Sequence, residues 1–225
     1  MNRNTANPLA LVVLATLSSS VLGQEMPAPS FAVGDRWTYR ETDLLTKNEV
    51  GRWTETVTAA DAAEYWIDSR RTARTTWRGD SVKRIHREQY LYDEAAPRQL
   101  GKTLSTNDAG CAYPWPLKVG QKFECTEVYV WPNGWKVRYE LKCTVEAAES
   151  VETPAGRFDA LRLMATGFAT NETTNNNSVA GHERVVWLAP AVKRELKHEI
   201  RTLTRNGKVF RVEGRESMEF SLGKS

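Results

Sequence analysis

Alternation between apolar and polar residues is the dominant pattern of this chain of 225 residues. From Trp135 to Val145 every second residue is apolar, apart from a cysteine, and the residues between them are charged or polar. A period of two places successive side chains on opposite faces of a strand. The segment 135–146 is therefore predicted to be a strand with one buried face, and 123–131 shows the same alternation.

Turn residues between the alternating segments predict hairpins. Pro132-Asn-Gly134 suits a type I turn closed by a glycine bulge, which places Trp131 opposite Trp135. Asn206-Gly207 is a second hairpin signal, and even-numbered residues from Phe210 to Leu222 are mostly apolar after it. Other predicted strands lie near 35–45, 51–59, 64–75, 80–92, 157–169 and 181–188.

A short internal repeat suggests two similar halves. Val33-Gly-Asp-Arg-Trp37 matches Val119-Gly-Gln-Lys-Phe123, at an offset of 119 − 33 = 86 residues. We predict a single all-β domain over 24–225, folded as a curved antiparallel sheet or incomplete β-barrel. Its parts are half A at about 31–105, a linker at 106–118, and half B at about 119–222.

The N-terminus has the features of an export signal. Arg3 precedes the apolar run Leu9–Leu17, and small residues lead to a predicted cleavage site before Gln24. The run is shorter than the roughly 20 residues that span a bilayer, and no later segment qualifies. The residue directly after the predicted cleavage site is Gln24 rather than a cysteine, so we expect no lipid anchor. A periplasmic or secreted protein with a signal peptide at 1–23 is predicted.

Composition narrows the class of partner. Without Arg3 the mature chain has 31 − 1 = 30 basic and 28 acidic residues, which is close to neutral. A nucleic-acid-binding protein would normally concentrate positive charge, so nucleic acid is not an expected partner.

Three motifs resemble those of a family of exported bacterial domains. They are Val33-Gly-Asp-Arg-Trp-Thr-Tyr39, Thr153-Pro-Ala-Gly-Arg-Phe-Asp-Ala-Leu161 and Val186-Trp-Leu-Ala-Pro-Ala-Val192, in that order. Together they resemble the domain-of-unknown-function 3108-like group. The resemblance implies a curved antiparallel sheet or half-barrel outside the cytoplasm, and it transfers no catalytic residue.

Catalytic and metal-binding patterns are weak. There is no Gly-x-Ser-x-Gly motif, and the three histidines are far apart in sequence. His182 and His198 would face each other if their strands were joined by a turn centred on Pro190, since (182 + 198)/2 = 190. Such a cross-strand pair could respond to pH or metal, or could simply pack. No third metal ligand is visible, so we predict no metal and no cofactor.

Cysteines suggest one disulfide bond. Three are present, so at least one thiol is unpaired within a monomer. Cys125 and Cys143 are predicted to be diagonal neighbours on the apolar face, and one bulge would bring them opposite each other. We therefore favour a Cys125–Cys143 disulfide, with Cys111–Cys125 as the alternative and buried thiols as the simplest reading.

Aromatic and basic residues are the remaining candidates for binding. Curved sheets often enclose a cavity, and Tyr113, Trp115, Trp131 and Trp135 could surround its opening or could belong to the core. Arg70, Arg71 and Arg74 begin a basic stretch, which could face an anionic surface or be an ordinary solvated face.

These observations favour an exported, non-catalytic scaffold that binds an apolar ligand, a glycan or a protein partner in its concave face. An exported hydrolase and a surface-attachment accessory protein are the alternatives. A lipid, a glycan or another envelope protein are the expected kinds of partner.

Overall fold

The computed structural model describes residues 25–62, 64–73, 81–86, 92–95, 113–130, 136–173 and 179–223. Within these residues the chain forms eleven strands and a single turn of 3-10 helix at Pro190–Val192. The strands are β1 Arg36–Asp43, β2 Glu49–Ala60, β3 Glu64–Ala73, β4 Ser81–His86, β5 Tyr92–Ala95, β6 Lys122–Val130, β7 Lys136–Thr153, β8 Gly156–Asn171, β9 Val179–Ala189, β10 Arg194–Leu203 and β11 Val209–Ser221. No helix of the described part is long and apolar enough to span a bilayer.

All eleven strands form one antiparallel sheet, which confirms the predicted fold class. The order across the sheet is β5-β4-β3-β2-β1-β11-β10-β9-β8-β7-β6. Each half is a meander of consecutive strands, and pairing of β1 with β11 joins the two halves. The edge strands β5 and β6 are not paired with each other in the described residues, so the sheet is open.

The sheet is strongly curved. Strands β2 and β10 are three positions apart, which corresponds to about 14 Å in a flat sheet. Nevertheless, Arg194 of β10 forms an ion pair with Glu55 of β2. The indole Nε1 of Trp37 in β1 likewise donates a hydrogen bond to the carbonyl oxygen of Val192 at 2.8 Å. These contacts require the two halves to curl toward each other around a concave face.

The internal repeat corresponds to two turns of the same geometry. Gly34 and Gly120 both have positive φ, at 93° and 87°, which glycine adopts without strain. The N–H of Gly34 donates to the carbonyl of Val57 at 2.9 Å, and that of Gly120 donates to the carbonyl of Val145 at 2.8 Å. Each valine N–H donates in return to the residue after the glycine, at 2.8 and 2.9 Å. Both halves therefore begin with the same hydrogen-bonded turn. The domain boundaries given above stay a prediction.

The core fills the apolar part of the concave face. The largest cluster joins side chains from the segment before β1, from β1, β2, β3, β8, β9 and β10, and from the 3-10 turn. Its buried members are Phe31, Trp37, Tyr39, Trp53, Val57, Tyr65, Ile67, Ala160, Ala189, Val192 and Leu196. A second cluster comprises Met26, Leu117, Val145, Leu161, Leu163, Val186 and Leu188, and a third comprises Cys125, Leu141, Cys143 and Ala165.

Two segments outside the strands cover the second cluster. Met26 and Leu117 exchange backbone hydrogen bonds of 2.8 Å and are 1% and 0% exposed. Tyr113 and Trp115 precede Leu117 and pack against the same cluster. Residues 113–118 of the predicted linker thus pack against the apolar core.

The inner face of β11 differs from the alternation that its sequence suggests. Ser217 is fully buried opposite Tyr39, and Arg215 faces His198 across the sheet, whereas Phe210 is 56% exposed. The polar row of this strand therefore faces the interior between 213 and 217. Bulges in the pairing of β11 with both neighbours change its register, and the local sequence does not reveal them.

Candidate functional site

The concave face changes from apolar to charged along its strands. At one end Trp37, Val57 and Leu196 are at most 1% exposed. Further along the same strands, the inner positions carry mostly ionisable side chains. We call the following residues the charged end: Glu41, Trp53, Arg71, Glu127, His182, Arg184, Glu195, His198, Glu213 and Arg215.

Trp53 forms an aromatic wall within the charged end. The guanidinium carbon of Arg215 lies 4.1 Å from the centroid of the Trp53 ring, and that of Arg71 lies 5.0 Å away. Such contacts are attractive because the ring face carries negative potential. The side chains of Arg71 and Arg215 are 12% and 13% exposed, so solvent still reaches both.

The ion pairs around Trp53 are longer than direct hydrogen bonds. Arg215 Nη1 lies 3.5 Å from Glu195 Oε1, and Arg71 Nη2 lies 4.0 Å from Glu41 Oε2. Good N–H···O bonds measure about 2.7–3.2 Å. Arg215 Nε is buried and has no hydrogen-bond partner in the described part of the chain. Spacings of this kind suit a bridging water or ligand oxygen.

A strand irregularity brings Glu195 and His198 together. The register of β10 against β9 shifts between Glu195 and Lys197, so that Glu195, Leu196 and His198 all face the interior. His198 Nδ1 then lies 2.7 Å from Glu195 Oε1. Burial alone would raise the pKa of Glu195, but His198 and Arg215 outweigh it and hold that pKa below its usual range.

His182 is a buried neutral histidine. Burial, together with the positive charge of Arg184, lowers the pKa of His182 to about 3. Its ring packs edge-to-face against Tyr139 at 4.8 Å between centroids, and Nε2 has no hydrogen-bond partner among the described residues. Burial also lowers the pKa of His198, although Glu195 opposes the effect.

The two histidines share a face but are not opposed. His182 faces Thr202, and His198 faces Val186, which is four residues further along β9. The turn between the strands spans 190–193, and β10 has a bulge, so the register differs from one centred on Pro190. The proposed cross-strand pair is therefore two separate buried imidazoles on adjacent strands.

Stability should fall on mild acidification because of His182. Its folded pKa lies below its unfolded pKa, so the unfolded chain binds the extra proton first as pH falls below about 6.5. The penalty grows by about 0.7 kcal/mol per pH unit at pH 6.5 and approaches about 1.4 kcal/mol per pH unit below pH 5.5. We expect the free energy of unfolding, measured by urea titration, to drop about 1 kcal/mol more between pH 6.5 and 5.5 in the wild type than in His182→Gln. Parallel curves for the two proteins would contradict a depressed pKa.

An ion pair links β9 to β6 across the concave face. Arg184 Nη1 and Nη2 donate to Glu127 Oε1 and Oε2 at 2.9 and 3.0 Å, in a bidentate geometry. Strands β9 and β6 are three positions apart, so the pair spans β8 and β7. The inner positions beneath it on β8 include Ala165 and Gly167. A Cβ at Gly167 would lie 1.9 Å from the carbonyl oxygen of Glu140, so that position requires glycine.

Among the described residues, His182 and His198 do not assemble a serine-hydrolase site. His198 and Glu195 resemble the base and acid of a triad, and Ser217 lies on the neighbouring strand β11. However, Ser217 is fully buried and its Oγ has no hydrogen-bond partner in the described residues. A nucleophile must contact both its base and the substrate, and Ser217 does neither. Among the described residues, no group of three or more His, Cys, Asp or Glu could hold a metal ion.

The predicted aromatic site is only partly described. Tyr113 and Trp115 contact each other at 5.5 Å between ring centroids, and Tyr113 contacts Phe123 at 5.8 Å. Both pack on the apolar core and thus favour the core interpretation. Trp131 and Trp135 lie outside the described residues.

The basic stretch does not form one surface where it is described. Arg70 points outward, pairs with Asp68 at 2.8 Å, and has a 76% exposed side chain. Arg71 points inward to Trp53. Successive residues of a strand point to opposite faces, so these two cations cannot share one. Arg74 lies outside the described residues.

The favoured disulfide is not formed. Cys143 is a buried free thiol, because β6 and β7 pair without a bulge: Cys143 lies opposite Phe123, and Cys125 opposite Leu141. The two cysteines remain diagonal neighbours, as the register predicted, and no irregularity brings them opposite each other. Cys111 lies outside the described residues, so a Cys111–Cys125 bond stays a prediction.

Thiol labelling should separate the cysteines. Burial raises the pKa of the Cys143 thiol to about 11, so little reactive thiolate is present at neutral pH. We expect iodoacetamide to modify Cys143 only after denaturation, with Cys111 and Cys125 recovered as one disulfide-linked peptide by non-reducing mass spectrometry. Rapid labelling of Cys143 in the native protein would contradict this arrangement.

Glutamates within apolar rows of the sequence indicate the buried charges. Glu55 lies between Trp53 and Val57 on the inner row of β2, and Glu127 follows Phe123 and Cys125 on that of β6. A charged residue in register with an apolar row must be paired when the row is buried. The identity of each partner depends on the curvature of the sheet.

A second concavity, of about 370 Å³, lies on the outer face. Gly214 is part of its lining, and a Cβ there would lie 3.0 Å from Leu44. Two ion pairs neutralise most of its charges: Arg40 with Glu216, and Lys197 with Glu199 at 2.9 Å.

Comparison with known proteins identifies the fold alone. No family model matches the chain. No curated protein sequence matches it either. Two crystal structures are similar. One is a "putative lipoprotein" from Parabacteroides distasonis, with a TM-score of 0.59 and 13% identity, and the match covers 87% of this chain and 99% of that chain. The other is a "putative exported protein with YmcC-like fold" from Bacteroides fragilis, with a TM-score of 0.53 and 12% identity, and the match covers 88% of this chain and 100% of that chain.

Proposed function

We propose that this protein is an exported, non-catalytic binding protein that holds a glycan at the charged end of its concave face. The observation that carries the proposal is Arg215, a mostly buried guanidinium stacked on Trp53 whose Nε has no partner in the described residues. The indole of Trp53 can stack against a sugar ring, while the neighbouring guanidiniums donate hydrogen bonds to its hydroxyl groups and the carboxylates accept hydrogen bonds from them.

The charge balance favours a polar ligand without strong net charge. The charged end contains four carboxylates and three guanidiniums, and its histidines have depressed pKa values. Donors and acceptors therefore occur together, as a hydroxyl-rich ligand requires.

A large apolar ligand fits less well. Trp37, Tyr39 and Leu196 fill the apolar end and are at most 1% exposed. An apolar guest would have to displace these packed side chains, at a cost of several kcal/mol. The export part of the proposal is supported by the features of residues 1–23 and by the descriptions of the two similar structures.

Intrinsic tryptophan fluorescence can test the glycan proposal. Trp53 lies under Arg215, so a ligand that reorients the guanidinium should change its emission. We expect a member of a panel of neutral, amino-sugar and uronate-bearing oligosaccharides to change the emission saturably. Arg215→Lys keeps the charge but loses the planar fork, so it should weaken binding at least about tenfold.

Arg40→Lys is the matched control, because Arg40 is an ion-paired arginine on the outer face of adjacent β1. It should bind the same oligosaccharide as tightly as the wild type. A panel in which no oligosaccharide binds, or equal affinities of the wild type and Arg215→Lys, would refute the proposal.

A further inference from the structure

The outer surface of the hairpin between β10 and β11 combines exposed apolar side chains with positive charge. We propose that this hairpin docks the protein onto an anionic lipid surface. The inference rests on a different part of the molecule from the glycan proposal and does not depend on it.

Strand pairing aligns an apolar row beside the hairpin. Phe168 faces Gly181, Gly181 faces Leu203, and Leu203 faces Val209, across four successive strands. Phe168 is 59% exposed and Val209 is 40% exposed. At Gly181 a Cβ would lie 3.1 Å from that of Leu203, so the glycine leaves room for the leucine within the row.

A bulge adds a second exposed aromatic residue. The register of β11 against β10 passes from Thr202 opposite Arg211 to Leu203 opposite Val209, which leaves Phe210 as the extra residue. Phe210 is 56% exposed. Two phenylalanines and a valine are thus presented to solvent at the end of the sheet.

The hairpin beside this row is rich in basic residues. The segment 200–212 contains four basic residues and no acidic residue: Arg201, Arg205, Lys208 and Arg211. Arg205 and Lys208 are exposed and have no ion-pair partner among the described residues. Arg211 is paired with Glu213 of the same strand. Arg201 and Glu183 form a weaker pair at 3.9 Å, and both of their side chains are more than one third exposed. Arg205 and Lys208 therefore place two positive charges without an ion-pair partner in the described residues beside the apolar row.

Lipid is the occupant that this combination favours. Aromatic side chains insert at the boundary between headgroups and acyl chains, while flanking Lys and Arg attract anionic headgroups. A second copy of the hairpin would bring like charges together. A stable protein interface needs about 800 Å² on each partner, which is far more than a few side chains supply.

Vesicle sedimentation tests the proposal. We expect the purified protein to sediment with phosphatidylcholine vesicles that contain phosphatidylglycerol, to bind pure phosphatidylcholine much less, and to be released by salt. Replacing Arg205 and Lys208 with Gln should lower the partition coefficient about 30-fold, since each cation contributes roughly a fivefold factor. Phe210→Ser should also weaken binding.

Val33→Ser is the matched control, because Val33 is 55% exposed in the turn before β1. Strand β1 begins opposite Ser221, at the end of β11 that is far from the hairpin. It should leave partitioning unchanged. All these positions are exposed, so unchanged circular dichroism is expected for every variant. Failure to bind phosphatidylglycerol vesicles, or equal loss in Val33→Ser and Phe210→Ser, would overturn the proposal.

Discussion

Replacing Asp35 with alanine is expected to destabilise the protein by about 3–5 kcal/mol, because Asp35 is a fully buried carboxylate with a cationic partner. Its Oδ2 accepts a hydrogen bond from the N–H of Ala32 at 2.9 Å and from Lys193 Nζ at 3.1 Å. Its Oδ1 accepts one from the N–H of Gly223 at 2.7 Å. This carboxylate thus joins the start of β1 to the β9–β10 turn and to the chain beyond β11.

The internal repeat provides the control. Gln121 occupies the corresponding position in half B, where its Oε1 accepts from the N–H of Lys118 at 3.0 Å. It is partly exposed and pairs with no charge, so Gln121→Ala should cost less than about 1.5 kcal/mol. Urea unfolding monitored by tryptophan fluorescence measures both values. Equal losses would show that Asp35 does not connect the two halves.

Removing Glu127 should have an effect of similar size. Glu127→Ala leaves the half-buried guanidinium of Arg184 without its bidentate partner, which is expected to cost about 3–5 kcal/mol. Replacing the pair together, as Glu127→Leu with Arg184→Met, should recover most of the loss, because well-packed apolar groups often substitute for a buried ion pair. Differential scanning calorimetry of the three proteins gives the comparison.

An exposed ion pair provides the reference for the stability change caused by Glu127→Ala. Arg157 and Glu152 are 2.9 Å apart with side chains 71% and 73% exposed. Arg157→Met should change stability by less than about 1 kcal/mol. If Glu127→Ala is no more harmful than Arg157→Met, the pair is not a brace across the concave face.

The strand pattern of this fold could be predicted because alternation is a local property. The predicted hairpin register has 131 + 135 = 266, and the observed pairing of Lys122 with Thr144 also sums to 266. The second predicted hairpin is confirmed as well, since Gly207 has φ 78° and closes the turn with Thr204. Turn residues and the period of two were sufficient for both.

The candidate site depended on information that alternation does not contain. Arg194 and Glu55 are 139 positions apart, and only the curvature of the sheet brings them together. The bulges in β10 and β11 turned Glu195 and Arg215 inward, and both were unpredicted. A bulge adds one residue and so reverses the faces of every residue beyond it. The disulfide prediction was wrong for the opposite reason, since it required a bulge that β6 and β7 lack.

Together, the two proposals place the charged end of the concave face beside a lipid surface. His182 faces Thr202, one residue before Leu203, so the β10–β11 hairpin lies at the same end of the strands as His182. A protein docked through this hairpin would present its glycan site close to the membrane.

The curvature that creates the charged end is tested most directly by a double-mutant cycle on Glu55 and Arg194. We predict a coupling energy of at least about 1.5 kcal/mol between Glu55→Ala and Arg194→Ala, because the two side chains form a buried ion pair across the concave face. In a flat sheet, residues about 14 Å apart would be additive within about 0.5 kcal/mol. A coupling energy that small would contradict the curled sheet and the site built on it.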